Sequence, residues 1–117
     1  MFTAFGIETP ACDAESPVAA QPATVVVRVV AERFRFSPDE IRVAEGQSVE
    51  LHLESTDTDH GFHILGTGIN RTIPKRGRGS IVVMFKPERS GRYRFECSKV
   101  CGAGHDFMHG FVVVDAR

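Results

Sequence analysis

From Val49 to Glu54 apolar and polar residues alternate without a break, with Val49, Leu51 and Leu53 set against Glu50, His52 and Glu54. A period of two puts each set on one face of an extended strand, so this segment buries its apolar face only within a sheet. His52 falls on the wet face and reads as a surface histidine. Related signatures recur along the chain. Val25, Val26, Val27, Val29 and Val30 form a β-branched run leading to Phe34 and Phe36, which Ser37-Pro38-Asp39 ends as a turn. Ile41 and Val43 make a short strand closed by Ala44-Glu45-Gly46-Gln47. Ile81, Val82, Val83, Met84 and Phe85 read as a continuous buried strand, Tyr93, Phe95 and Cys97 alternate with Arg92, Arg94 and Glu96, and Phe111 to Val114 closes the series. No stretch carries a helical period for more than a turn or two, and no internal repeat is visible. Seven or so short strands bounded by turn signals predict an all-β domain, a Greek-key sandwich or barrel.

At 117 residues, 42% of them hydrophobic and 25% charged, the chain is one domain's worth with enough apolar residues for a core. Residues 1–23 are rich in Ala, Pro, Glu and Ser without periodicity, so they are expected to form a flexible tail ahead of a folded domain over 24–117. Cys12 lies in that tail; Thr-Pro-Ala before it matches a lipid attachment site poorly, and it reads as an incidental thiol. Residues 1–11 are too short and too poor in positive charge to read as a secretory leader. No apolar run approaches the ~20 residues of a membrane-spanning helix. The net charge of −1 conceals an imbalance: residues 1–59 carry four basic and eleven acidic residues, residues 60–117 ten basic and four acidic. Between Asp59 and Glu88 there is no acid, while Arg71, Lys75, Arg76, Arg78 and Lys86 lie there. Such a dipolar surface steers a charged partner. With no Trp, one Tyr and no basic excess, nucleic acid is not an expected partner.

The chemistry is concentrated in CSKVCGAGHDFM, which offers Cys97, Cys101, His105 and Met108. Thiolate, imidazole and thioether form a soft donor set that suits copper or zinc rather than magnesium, calcium or manganese. Steps of four, four and three would share one helix face, but Gly102 and Gly104 argue for a loop folded closely around something small. The inward phase of Tyr93 and Phe95 brings Cys97 out at a strand end with its sulfur facing the interior. The loop then carries the other donors back before Phe111 re-enters the sheet. A further ligand is needed from elsewhere, and His60, opening the other histidine-bearing loop, is the first choice. Simpler readings compete. A Cys97–Cys101 disulfide leaves His105 and Met108 unused. A Cys2His2 zinc site lacks one of the usual paired knuckles. A mononuclear blue-copper site takes one cysteine, not two. A catalytic cysteine lacks an identifiable base and orienting acid. His63 reads as a residue behind the ligands, His109 as a surface residue near the metal, and Phe107 and Phe111 as core.

CSKVCGAGHDFM, preceded by DHGFHILGTGIN, resembles the dinuclear copper (CuA) domain of cytochrome c oxidase subunit II. That family's loop runs C-x-x-x-C-x-x-x-H-x-x-M after an upstream histidine in an H-[SG]-F-like segment. The resemblance covers roughly Val25 to Asp115. It implies a cupredoxin barrel with two copper ions bridged by the sulfurs of Cys97 and Cys101. His60 and His105 would each bind one copper, Met108 would be a weak axial ligand, and the main-chain carbonyl of Lys99 would complete the second copper. Ile64, Phe95 and Val100 would exclude water from the site. The implied role is an electron carrier, not an enzyme on its own and without a small-molecule substrate. It would pass electrons from a donor protein such as a cytochrome c to a haem-containing membrane acceptor. Thiols that stay unpaired until metal arrives point to the periplasm or an equivalent compartment, with a membrane anchor possible in the native protein. Two alternatives are a stand-alone copper-binding or copper-delivery protein and a CuA subunit of a nitric oxide reductase-like complex. The chain differs from the family pattern at three places: Lys99 stands where Glu or Gln is common, there is no Trp for electron entry, and the loop from Arg71 to Arg78 is basic. These differences bear on a magnesium contact and on the partner rather than on copper.

Overall fold

The computed structural model describes residues 22–117. Nine strands run in order: β1 (Thr24–Glu32), β2 (Arg35–Ser37), β3 (Glu40–Ala44), β4 (Ser48–Ser55), β5 (His60–Ile64), β6 (Asn70–Ile73), β7 (Ile81–Phe85), β8 (Gly91–Glu96) and β9 (His109–Asp115). They form a four-stranded sheet, β2-β1-β4-β7, facing a five-stranded sheet, β3-β9-β8-β5-β6. Most neighbours are antiparallel, but β1 lies parallel to β4 and β3 parallel to β9. The chain changes sheets between β2 and β3, at Ser37–Asp39, and returns between β3 and β4. The all-β sandwich is the expected class. Among the described residues the one helical element is a 3₁₀ turn at His105–Phe107. The tail expected over 1–23, with Cys12, lies outside the described residues except for Pro22 and Ala23. The carbonyls of these two accept hydrogen bonds from Gln47 Nε2 and Ser48 N, both at 2.8 Å.

The core lies between the sheets, where Val49, Leu51 and Leu53 of β4 are fully buried, as their alternation predicts. Phe36 from one sheet meets Phe62 and Phe95 from the other edge-on, with centroids 5.7 and 5.3 Å away. Edge-to-face packing of this kind contributes beyond area burial alone. Phe95 precedes Cys97 by two residues, so this cluster fixes the end of β8 beneath the site.

Two expectations need correction here. Ile81–Phe85 is not buried throughout: Val83 and Phe85 point inward, while Val82 and Met84 are 48% and 54% exposed. β7 is an edge strand of a sheet whose outer face meets solvent, so only alternate residues reach the core. The segment from His60 is not a loop but strand β5, paired antiparallel with β6 and β8.

Candidate metal centre

At one end of the sandwich β5 begins, β8 ends and β9 begins. His60 is the first residue of β5, Cys97 follows β8, and Cys101, His105 and Met108 ride on the connection to β9. The ends of that connection are tied together by Cys97 N donating to Met108 O at 3.1 Å. Its middle is braced by His105 N to Gly102 O and Phe107 N to Gly104 O. Gly102 and Gly104 let the ring of Phe34 lie against the loop: a Cβ at either would come within 2.8 Å or less of that ring.

The five side-chain donors expected from the sequence are brought together. Cys97 Sγ lies 3.7 Å from Cys101 Sγ and 4.0 Å from His60 Nδ1. Cys101 Sγ lies 3.8 Å from His105 Nδ1 and 3.9 Å from Met108 Sδ. The Cys97 thiol also points at the Lys99 carbonyl oxygen, 3.0 Å away. Both cysteines are free and buried, so the disulfide reading does not describe this arrangement. His60, Cys97, Cys101 and Met108 are all 5% exposed or less, whereas His105 is half-buried. A recess of about 100 Å³ lined by Glu96, Cys97, His105, Asp106 and Met108 opens beside it.

These spacings fit shared metal coordination. Bond lengths of about 2.0–2.3 Å place two ligands of one ion roughly 3.3–4.0 Å apart at angles of about 110–120°. The same separations are too long for strong hydrogen bonds, and the sulfurs are far beyond the ~2.05 Å of a disulfide. Each thiol faces one imidazole nitrogen of its own.

Electrostatics prepares the donors. His60 Nε2 donates to Asp57 Oδ1 at 2.8 Å, which leaves Nδ1 as the lone-pair nitrogen facing Cys97. Asp57 also accepts from Arg33 N at 2.9 Å and Thr58 N at 2.6 Å. Burial alone would raise the Asp57 carboxyl, but the bonds from Arg33, His60 and Thr58 bring it down to about 2. Burial first, and the adjacent Cys97 thiol next, push Cys101 up to about 11. Both thiols must deprotonate to become thiolate ligands, so metal loading releases protons and tightens as pH rises. Arg33 Nε donates to the Cys101 carbonyl at 2.8 Å, so one residue braces both the histidine side and the cysteine loop.

A cupredoxin-like domain family matches residues 3–114 of this chain. Cytochrome c oxidase subunit 2 of Thermus thermophilus is 36% identical over 101 residues, which is 86% of this chain and 73% of that protein. The chain belongs to the cupredoxin-like family and, within it, to cytochrome c oxidase subunit 2. Among solved structures, a heme-copper terminal oxidase dimer aligns with a TM-score of 0.64 and 28% identity over 78% of this chain and 65% of that chain. The domain thus spans just under two thirds of that neighbour. The periplasmic domain of subunit II of cytochrome oxidase from Bradyrhizobium japonicum shares the fold, with a TM-score of 0.70 at 17% identity over 79% of this chain and 84% of that one.

Other residues of this cupredoxin domain fall into place or out of it. His63 is half-buried and outside the His60–Cys97–Cys101 cluster, and His52 pairs with Glu50 on the outer face at 2.6 Å. His109 is half-buried at the start of β9, its Nδ1 3.2 Å from Phe107 O. Phe107, expected in the core, is 77% exposed, because the 3₁₀ turn that aims His105 inward rotates Phe107 outward. Phe111 is half-buried under the Arg92 guanidinium, 4.1 Å from its ring centroid, rather than in the core. Val100, expected to exclude water, is 82% exposed, whereas Ile64 and Phe95 are fully buried. Sequence reasoning missed Asp57, Arg33, Phe34 and Gly61. An acid three residues before His60 was a signal for Asp57, but Asp59 stood beside it as an equal candidate. Among the described residues no helix is long and apolar enough to cross a membrane. A cavity of about 510 Å³ between Gly66, Phe85 and Tyr93 is at the far end of the sandwich and touches none of the donors.

Proposed function

We propose that this domain is the electron-transfer module of a terminal oxidase or related reductase, holding two copper ions at the metal end. His60 and Cys97 would serve one ion and His105 and Cys101 the other, with both sulfurs shared. Met108 and the Lys99 carbonyl would act as the weaker donors. The supporting observation is the paired arrangement itself: two unlinked, buried thiols 3.7 Å apart, each facing its own imidazole nitrogen. A single tetrahedral ion would leave one of these five side-chain donors without a role.

Copper, when bound, supplies one-electron redox chemistry. The chain's own residues keep the site unchanged while the charge changes. Asp57 fixes the ring of His60 in one tautomer, Arg33 holds the Cys101 carbonyl, and the Cys97–Met108 backbone bond closes the loop. Ile64 and Phe95 keep water from the inner side. Half-buried His105 is the ligand nearest solvent and forms the natural edge for electron passage. The periplasm, a donor protein such as a cytochrome c and a haem-containing acceptor complete this reading. Support comes from the resemblance to oxidase subunits that work in such complexes.

Copper titration with electron paramagnetic resonance tests the proposal. Saturation at two ions per chain, with one unpaired spin split equally by both nuclei, is expected. Cys97→Ser or Cys101→Ser should abolish that shared spectrum. Saturation at one ion, with the spin on a single nucleus, rejects the dinuclear reading.

A further inference from the structure

The cations of this domain are unevenly satisfied. Arg28, Arg35, Arg42 and Arg94 pair with Glu54, Glu32, Glu40 and Glu96 at 3.4, 3.4, 3.5 and 3.0 Å. Lys75, Arg76, Arg78 and Lys99 are exposed, and among the described residues their side chains have no acidic or aromatic partner. Lys99 lies on the metal loop and Lys75 and Arg76 lie on the loop beside Asp57–Asp59, whereas Lys86 and Arg89, exposed and likewise without such a partner, lie at the far end. Lys75 N donates to Asp59 Oδ1 at 2.7 Å and Arg76 N to Asp57 O at 3.0 Å, which places their loop against the segment that holds His60. Lys99 sits between the two cysteines. Nearby carboxylates offset part of this charge: Asp57 accepts from His60 and Arg33 N, Asp59 accepts from Lys75 N, Asp106 lies on the loop, and Glu96 pairs with Arg94. On the same loop Val100 and Phe107 project into solvent at 82% and 77% exposure. Two exposed apolar side chains on the metal loop, with Lys99 between the cysteines and a cationic loop beside the His60 segment, supply the ingredients of a protein contact, an apolar centre with a charged rim.

We propose that the metal end docks an acidic redox protein, with Val100 and Phe107 at the centre of the contact and Lys75, Arg76, Arg78 and Lys99 as its rim. The partner presents carboxylates around an apolar spot over its own cofactor. A lysine-rich partner face is disfavoured, because it would juxtapose like charges across the interface. The cationic rim sets the encounter rate, and the apolar pair brings the two proteins into contact beside His105. This inference rests on the electron-transfer reading for its purpose, but not for its test.

The test uses one haem protein in two charge states: a lysine-rich c-type cytochrome, and the same cytochrome with its lysines succinylated. Binding to the metal-free, isotope-labelled domain is read by chemical-shift perturbation, and electron exchange with the copper-loaded domain by stopped flow. The acidic form should shift Lys99, Val100 and Phe107 at low salt, and both binding and rate should fall as salt shortens the Debye length to about 3 Å at 1 M. The combined Lys75→Glu, Arg76→Glu and Arg78→Glu variant should slow association about tenfold or more at low salt. Lys99→Glu alone should act in the same direction. Lys86→Glu with Arg89→Glu, at the far end, should leave association unchanged. Tighter binding of the lysine-rich form, shifts confined to another face, or anionic phosphatidylserine vesicles outcompeting the acidic cytochrome would overturn the proposal. Because the metal-free arm needs no copper, a failed dinuclear assignment and a failed docking surface give different results.

Discussion

Replacing Gly61 with alanine probes how the sheet and the metal loop fit together. Gly61 is a buried residue of β5 between His60 and Phe62, and its N–H points at Cys97 Sγ, 3.4 Å away. A methyl group there would stand 2.7 Å from Lys99 N and 2.8 Å from Ser98 N, and closer still to Ser98 Oγ. Ordinary contact begins near 3.4 Å, so the main chain at Lys99 must retreat by about 0.7 Å (3.4 − 2.7). The hydroxyl can rotate away. The backbone is less free, since Cys97 N is bonded to Met108 O and Ser98 Oγ to Asn70 Oδ1. Overpacking of this kind costs about 1–3 kcal/mol. At about 4–8 °C per kcal/mol for a domain near this size, the metal-free protein should melt roughly 4–24 °C lower. The displacement also exceeds the ~0.5 Å within which a site must hold its ligands, so copper absorption should change. Circular dichroism melts and absorption spectra of the loaded protein check both effects. An unchanged melting temperature and spectrum would refute the reasoning. So would full recovery on adding Ser98→Ala, which would make the hydroxyl rather than the backbone the obstacle.

Met108→Leu should keep copper bound and shift the potential, since the swap conserves core volume and removes only the donor proposed to be weak; complete loss of copper would contradict a weak role for the thioether. In the metal-free protein the Asp57 carboxyl is lowered from 3.8 to about 2, so the stability it adds is present above the unfolded value and disappears as pH falls toward 2. Acid titrations of Asp57→Asn should lack that part of the slope, and an identical slope would remove Asp57 from the account. Phe95→Ala should cost about 3–5 kcal/mol in denaturant unfolding, because it empties the centre of the aromatic cluster. Phe107→Ala should change stability by no more than about 0.5 kcal/mol, and a large loss there would contradict its exposed placement.

Much of the site was legible because its signals are local. The phase of Tyr93 and Phe95 sets the inward direction of Cys97, and spacing along one loop keeps Cys101, His105 and Met108 within reach of it. The strand at Val49–Glu54 is likewise a matter of neighbours in sequence. Exposure was less legible. An apolar residue in a β-branched run, such as Val82, or in a turn beside a ligand, such as Phe107 or Val100, looks buried until the covering element is known. For β7 there is none on the outer face, and for the loop the inward places are taken by the donors.

The sequence by itself determined the donor types, their order and the all-β framework, because periodicity and short spacings act through residues a few positions apart. Only the tertiary structure decided that His60 would face Cys97 across 37 positions and that Arg33 would hold Cys101 across 68. It also selected Asp57 rather than Asp59 to bind the imidazole, and it set the loop of Lys75 and Arg76 against the segment that leads into His60. Those outcomes depend on strand register and on which sheet ends converge, and both emerge only when the two sheets close over a common core.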